Sequence, residues 1–93
     1  MSKKINEKEM LLIIAQNIHH FRVLKNWSQQ ELEFNANLSA CYISTIETCS
    51  NNDIRLSTLI KIANALGIEL SELFIKRKEF KAKSRINFKN NNV

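Results

Sequence analysis

The stretch from Ser28 to Glu47, SQQELEFNANLSACYISTIE, decides the fold, because it reads as two short helices joined by a tight three-residue turn. Ser28 is followed three residues later by Glu31, so hydroxyl and carboxylate can each satisfy a free backbone N–H at a helix start, which is a capping box. Leu32 is then the inward residue. Ala36, Asn37 and Leu38 make the turn, and asparagine is one of the few non-glycine residues that tolerates a left-handed backbone. Ser39 has the side chain of an N-cap and starts the second helix, in which Ile43 and Ile46 supply the inward stripe that packs on Leu32. Ala40, Cys41, Ser44 and Thr45 are left facing outward.

Upstream, Leu11, Ile14, Ile18 and Phe21 recur at helical intervals and predict a first helix from about Glu7 to Lys25 with one buried stripe. At about 100° per residue Leu12 and Ile13 fall off that stripe, so something further must cover them, either the C-terminal segment through Phe80, Ile86 or Phe88, or a second subunit. Downstream, Leu59, Ile62, Ala63 and Leu66 predict a helix from about Ser57 to Leu66, and Gly67, the only glycine, follows where a left-handed residue is wanted. Ser71 then caps a short fifth helix carrying Leu73 and Phe74. The expected fold is all-α, five helices in one domain over residues 1–75. The composition changes after Ile75, and residues 76–93 form a basic C-terminal tail.

Ninety-three residues with 44% hydrophobic content make one domain of modest core. No run is long enough to cross a membrane and no signal-peptide pattern is present, so a soluble cytoplasmic protein without a membrane partner is expected. Cys41 and Cys49 have no neighbouring Cys or His pair to complete a zinc site, and the adjacent His19 and His20 point in different directions on a helix. Free thiols, ordinary rim histidines, no metal and no cofactor are the expectation. Nor is there a nucleophile and base at a useful spacing or a glycine-rich phosphate loop, which argues against an enzyme. Charge is unevenly distributed. Residues 1–75 hold seven Lys/Arg against eight Asp/Glu, whereas residues 76–93 hold seven Lys/Arg against Glu79 alone. Attraction to a polyanion is therefore concentrated in the tail, although a solvated Lys/Asn-rich end has the same composition.

An ordinary helical hairpin needs the same caps and stripes, so these alone do not decide the function. The order and near-spacing of Ile14, Ile18, Phe21, Arg22, Trp27, Ser28, Gln29, Leu32, Ile43, Ile46, Glu47, Leu59, Ile62, Ala63, Leu66, Gly67, Leu73 and Phe74 resemble the Cro/C1-type (XRE-like) helix-turn-helix family over roughly residues 10–75. Within it the chain looks like the small phage-type repressors and the controller proteins of restriction-modification systems, which share the Tyr42-Ile43-Ser44 run. The resemblance implies a five-helix, lambda-repressor-like fold. It also implies a bacterial or phage-encoded transcription regulator that binds double-stranded DNA as a homodimer on a roughly palindromic operator and acts on its own operon. RNA polymerase is a further implied partner, and Glu31 and Glu33 on the second helix are candidates for a polymerase-facing patch. The rival reading keeps the fold for protein contacts, as an antitoxin or anti-repressor would.

Carried over by position, Gln29 holds a phosphate and braces the recognition helix, while Ser28 and Ser39 place helix N-termini near the DNA backbone. Tyr42 lies against the sugar-phosphate edge, Ala40, Cys41, Ser44 and Thr45 face the bases, and Asn51 and Asn52 reach backbone or neighbouring base pairs. Leu66, Ile68, Leu70, Leu73 and Phe74 form the implied dimer contact. Arg22 and Glu47 resemble the family's ion pair between the first and third helices, and breaking it costs about 3 kcal/mol if buried and under about 1 if exposed. The chain departs from the family in three places. Ala40 and Cys41 are too short for the bidentate base contacts that Arg or Gln make, which points to an A·T-leaning site. Cys49 stands where glycine is usual, and the interval from Glu47 to Leu59 is one residue longer than usual.

Overall fold

The computed structural model describes residues 4–50 and 53–77. Four α-helices, α1 (Glu7–Leu24), α2 (Gln29–Ala36), α3 (Tyr42–Glu47) and α4 (Leu56–Leu66), are followed by a 3-10 helix at Leu70–Phe74. The fifth element is thus a 3-10 turn and not an α-helix. It is preceded by Glu69, which makes no side-chain cap, so Ser71 lies inside it and does not start it.

The two expected start signals on either side of the turn fare differently. Ser28 accepts from the Glu31 N–H at 3.0 Å while Glu31 Oε1 accepts from the Ser28 N–H at 2.7 Å, so the capping box forms. Ser39, by contrast, is not an N-cap. The chain turns once more, Cys41 takes a left-handed conformation (φ 67°), and α3 starts at Tyr42 without a side-chain cap of its own. Ser39 and Ala40 therefore precede the recognition helix.

All four α-helices close in the same way. A left-handed residue, Asn26, Asn37, Cys49 or Gly67, follows each helix, and the next N–H reaches back five residues: Trp27 to the Arg22 carbonyl (3.2 Å), Leu38 to Glu33 (2.8 Å), Ser50 to Thr45 (2.9 Å) and Ile68 to Ala63 (3.0 Å). This is the Schellman closure, in which glycine is best and asparagine acceptable. Cys49 bears the strain that a Cβ brings to that conformation.

The core joins Ile14 and Ile18 of α1, Leu32 and Ala36 of α2, Ile43 and Ile46 of α3, Leu59, Ile62, Ala63 and Leu66 of α4, and Leu73 of the 3-10 helix. Each buried Ile or Leu contributes about 1.5–3 kcal/mol relative to exposure, and together they fix α3 against α1 and α2. Two of the expected dimer residues, Leu66 and Leu73, are in this core and are spent within the subunit. Leu12 is exposed and Ile13 partly covered. Phe80, Ile86 and Phe88, the expected cover from the tail, lie outside the described residues. Packing continues past Ile75 as far as Arg77, whose Nε donates to Asn17 Oδ1 at 2.7 Å. Asn17 is fully buried, and its amide donates to the carbonyls of Leu73 (2.8 Å), Ile75 (2.9 Å) and Ile13 (3.1 Å). The 3-10 helix ends at Phe74 and leaves the Leu73 and Ile75 carbonyls without helical partners, which the Asn17 amide supplies.

Candidate nucleic-acid interface

The C-terminal end of α3 is held by one carboxylate. Arg22 Nε donates to Glu47 Oε2 at 2.8 Å and its Nη2 to Oε1 at 3.0 Å, a two-point grip. Gln29 Nε2 donates to Oε1 at 3.0 Å, and His19 Nδ1 stands 3.2 Å from the same oxygen. The remaining Arg22 nitrogen, Nη1, donates to the Trp27 carbonyl at 2.7 Å. Arg22 and Glu47 side chains are 12% and 8% exposed, so the pair belongs to the buried regime, in which losing one partner leaves the other charge uncompensated. Burial by itself would raise the Glu47 carboxyl. The hydrogen bonds from His19, Arg22 and Gln29, with the Arg22 charge, outweigh it and hold the carboxyl at about 2, down from 4.5. His19 is therefore a member of this cluster and not a plain rim histidine. Nothing in the helical spacing of α1 distinguishes it from His20, which packs edge-on against Phe21.

The other end of α3 is held from α2. Glu33 is 5% exposed, and its Oε2 accepts the Ile43 N–H at 3.0 Å. Glu31 is engaged in its own capping box. Glu33 is thus buried and taken, whereas Glu31 stays exposed with one oxygen in the capping box. Glu33, expected on an outward patch, is instead a buried acceptor for the next helix, and because its partner lies in that helix the spacing along α2 does not show it.

Between these supports, Ser44 and Thr45 are half-buried on the outer side of α3, with Ala40 and Cys41 exposed just ahead of it. Thr45 Oγ1 donates to the Tyr42 carbonyl at 2.7 Å, which leaves its methyl group and its lone pairs for a ligand. Tyr42 packs against the core and, with Asn37, Leu38 and Ser39, lines an open cleft of about 370 Å³. Asp53, Arg55, Thr58 and Lys61 line it too. Arg55 and Lys61 were not anticipated. They are the only two cations between Lys25 and Lys76, which is a signal the sequence did contain. Asn51 and Asn52 lie outside the described residues. Both cysteines are free and exposed, and among the described residues no group of three or more His, Cys, Asp or Glu is placed to hold a metal. No helix among them is long and apolar enough to cross a membrane.

The profile of a family described as Helix-turn-helix matches residues 18–73. A hypothetical transcription factor from Neisseria meningitidis is 36% identical over 74 residues, which cover 80% of this chain and 69% of the relative. The control protein C.SmaI of Serratia marcescens is 34% identical over 65 residues, 70% of this chain and 76% of the relative. Among solved structures, a hypothetical transcription factor from Neisseria superposes with a TM-score of 0.72 at 33% identity, over 90% of this chain and 94% of the other. The restriction-modification controller protein C.AhdI of Aeromonas hydrophila superposes with a TM-score of 0.65 at 33% identity, over 69% of this chain and 96% of the other.

Proposed function

The chain belongs to the Cro/C1-type helix-turn-helix family, and from that premise we propose that it is a sequence-specific DNA-binding transcription regulator. It binds a roughly palindromic operator as a homodimer, with the α3 helices about 34 Å apart in successive major grooves, and it controls its own operon as a controller protein or phage-type repressor does. The observation that carries this reading is the fixed seat of α3: a six-residue helix anchored by a buried ion pair, with Ser44 and Thr45 turned outward. A helix that reads base edges has to be held this firmly, because its contacts tolerate only about 0.5 Å of misplacement.

Roles follow from position. Ser44 and Thr45, with Ala40 and Cys41 ahead of the helix, face the bases. Thr45 meets them with a methyl group or as an acceptor, which suits thymine methyls and favours an A·T-leaning operator. Ser28, Gln29, Ser39 and Tyr42 lie along the backbone side, joined by Arg55 and Lys61 of the cleft as phosphate contacts. Asn51 and Asn52 remain proposed contacts from the loop. Ile68, Leu70 and Phe74 keep enough exposure to form the dimer surface, and the half-exposed Ile75 extends it. If the regulator activates, the polymerase-facing patch of α2 holds Glu31 and Phe34, which is 85% exposed, and not the buried Glu33. Beyond Arg77 the tail still carries five Lys/Arg against Glu79, and it grips phosphate without reading sequence.

A second reading, a protein-binding module such as an antitoxin or anti-repressor, is favoured by one observation: no Lys or Arg lies between Lys25 and Arg55, so the recognition segment itself carries no cation. Selection of binding sites from random DNA with full-length protein at moderate salt separates the two. A two-fold symmetric, A·T-leaning consensus supports the regulator, and enrichment of no sequence supports the protein-binding module.

A further inference from the structure

The left-handed Cys41 leaves α3 without a cap from its own leading residue, and the first core-facing N–H of the helix, that of Ile43, is taken instead by Glu33 of α2 at 3.0 Å. Glu33 is buried and lies on the face of α2 that also buries Leu32 and Ala36, a place where a carboxylate survives only with a partner. We propose that Glu33 is a positioning residue for base readout: its carboxylate fixes the start of the recognition helix, as Glu47 fixes its end, and so sets which bases Ala40, Cys41 and Ser44 can reach. This deepens the DNA-reading function proposed above and rests on it.

Reach decides how much the pitch of α3 matters. The outward side chains are short, so their contacts with base edges are van der Waals contacts and single hydrogen bonds. Such contacts fade within about 0.5–1 Å, and the long flexible side chains that could follow a shifted groove are absent. A recognition helix of this kind depends on its pitch more than one that carries Arg or Gln. A second consequence is that the start of α3 already holds an anion, so a DNA phosphate cannot be gripped there. Backbone contacts are left to the start of α2, to the Ser39 and Tyr42 side chains and to Arg55 and Lys61 of the cleft.

The test compares Glu33→Gln and Glu33→Ala with wild type in two measurements, both on the full chain. One is the exchange rate and proton shift of the Ile43 amide. The other is the ratio of affinities for the selected operator and for a scrambled duplex. Glu33→Gln keeps an acceptor oxygen of the same reach, so it retains the Ile43 amide protection and the wild-type base preference. Glu33→Ala loses the protection and lowers the affinity ratio about five- to tenfold, the size of a lost helix cap, while affinity for the scrambled duplex hardly changes. Should the alanine variant fail to fold, the glutamine variant decides: a changed consensus or an unprotected Ile43 amide in it overturns the proposal. An alanine variant with an unaltered ratio overturns it as well. If wild type selects no DNA sequence, the proposed function fails and the base-reading role with it. Loss of Ile43 protection in the alanine variant would then show the cap to be structural only.

Discussion

Helix α1 carries a polar network on each of two flanks, and they serve different ends. On one flank Arg22, with His19, grips Glu47 of the recognition helix. On the other Asn17 binds the carbonyls of Leu73 and Ile75 and accepts from Arg77, whose guanidinium also reaches Glu72 and lies 5.0 Å from the Phe21 ring centre. Asn17 and Arg22 are five residues apart, so at about 100° per residue they point about 140° away from one another. The first network is ionic and positions a helix that has to be presented to a ligand. The second is built on a neutral amide and closes a chain end whose 3-10 geometry leaves carbonyls unpaired. Both are largely buried, and in the proposed function only the first bears on DNA reading. Buried polarity therefore does not by itself mark a functional site, and what the network holds in place decides its meaning.

This contrast can be broken in four ways. The largest effect is expected from Glu47→Ala, which leaves the Arg22 guanidinium buried beside no anion. Stability should fall by about 3 kcal/mol, read as a lower denaturant midpoint, and operator affinity should fall with it. Unchanged midpoints would place the pair in the exposed regime. Acid offers a second route. Because the Glu47 carboxyl is depressed to about 2 in the fold, its contribution is fully present above about pH 4.5 and lost as pH falls from there towards 2. The loss amounts to about 3 kcal/mol in wild type and is absent in Glu47→Gln, as acid titration of both unfolding midpoints would show.

On the other flank, Asn17→Ala strands buried carbonyls and the Arg77 guanidinium. It should cost about 2 kcal/mol and raise amide exchange around Leu73, with the DNA sequence preference intact. A shifted preference would mean that the two flanks are coupled. The smallest effect concerns neither network directly. Replacing Cys49, at φ 60°, by glycine removes the left-handed strain at the end of α3 and should stabilise by about 0.5–1 kcal/mol in thermal or denaturant unfolding. A lower midpoint would show that the Cys49 side chain contributes packing that outweighs the strain.

How much of this was legible in the sequence depended on distance along the chain. The Ser28 capping box, the Asn37 turn and the Ile43/Ile46 stripe rest on neighbours within one or two turns, so spacing alone exposes them. The start of α3 did not follow from Ser39, because propensity assigns a cap to the nearest suitable side chain, whereas the real cap comes from Glu33, ten residues before Ile43 and on another helix. Asn17 was silent for the same reason, its partners lying 56 to 60 residues away. Leu66, inward by its spacing, and Leu73 were also assigned to the dimer contact that the family resemblance implies, and both are buried within the subunit. The same segment seals the core, with Ile68 and Leu70 partly buried and Phe74 exposed.

The central claim is that the Glu47 flank governs DNA reading while the Asn17 flank governs stability alone. The most direct measurement is the affinity of wild type, Glu47→Gln and Asn17→Ala for the selected operator and a scrambled duplex, at a temperature where all three are folded. The account predicts that the ratio of the two affinities collapses for Glu47→Gln and is unchanged for Asn17→Ala. Equal losses in both variants, or a preserved ratio in Glu47→Gln, would contradict it.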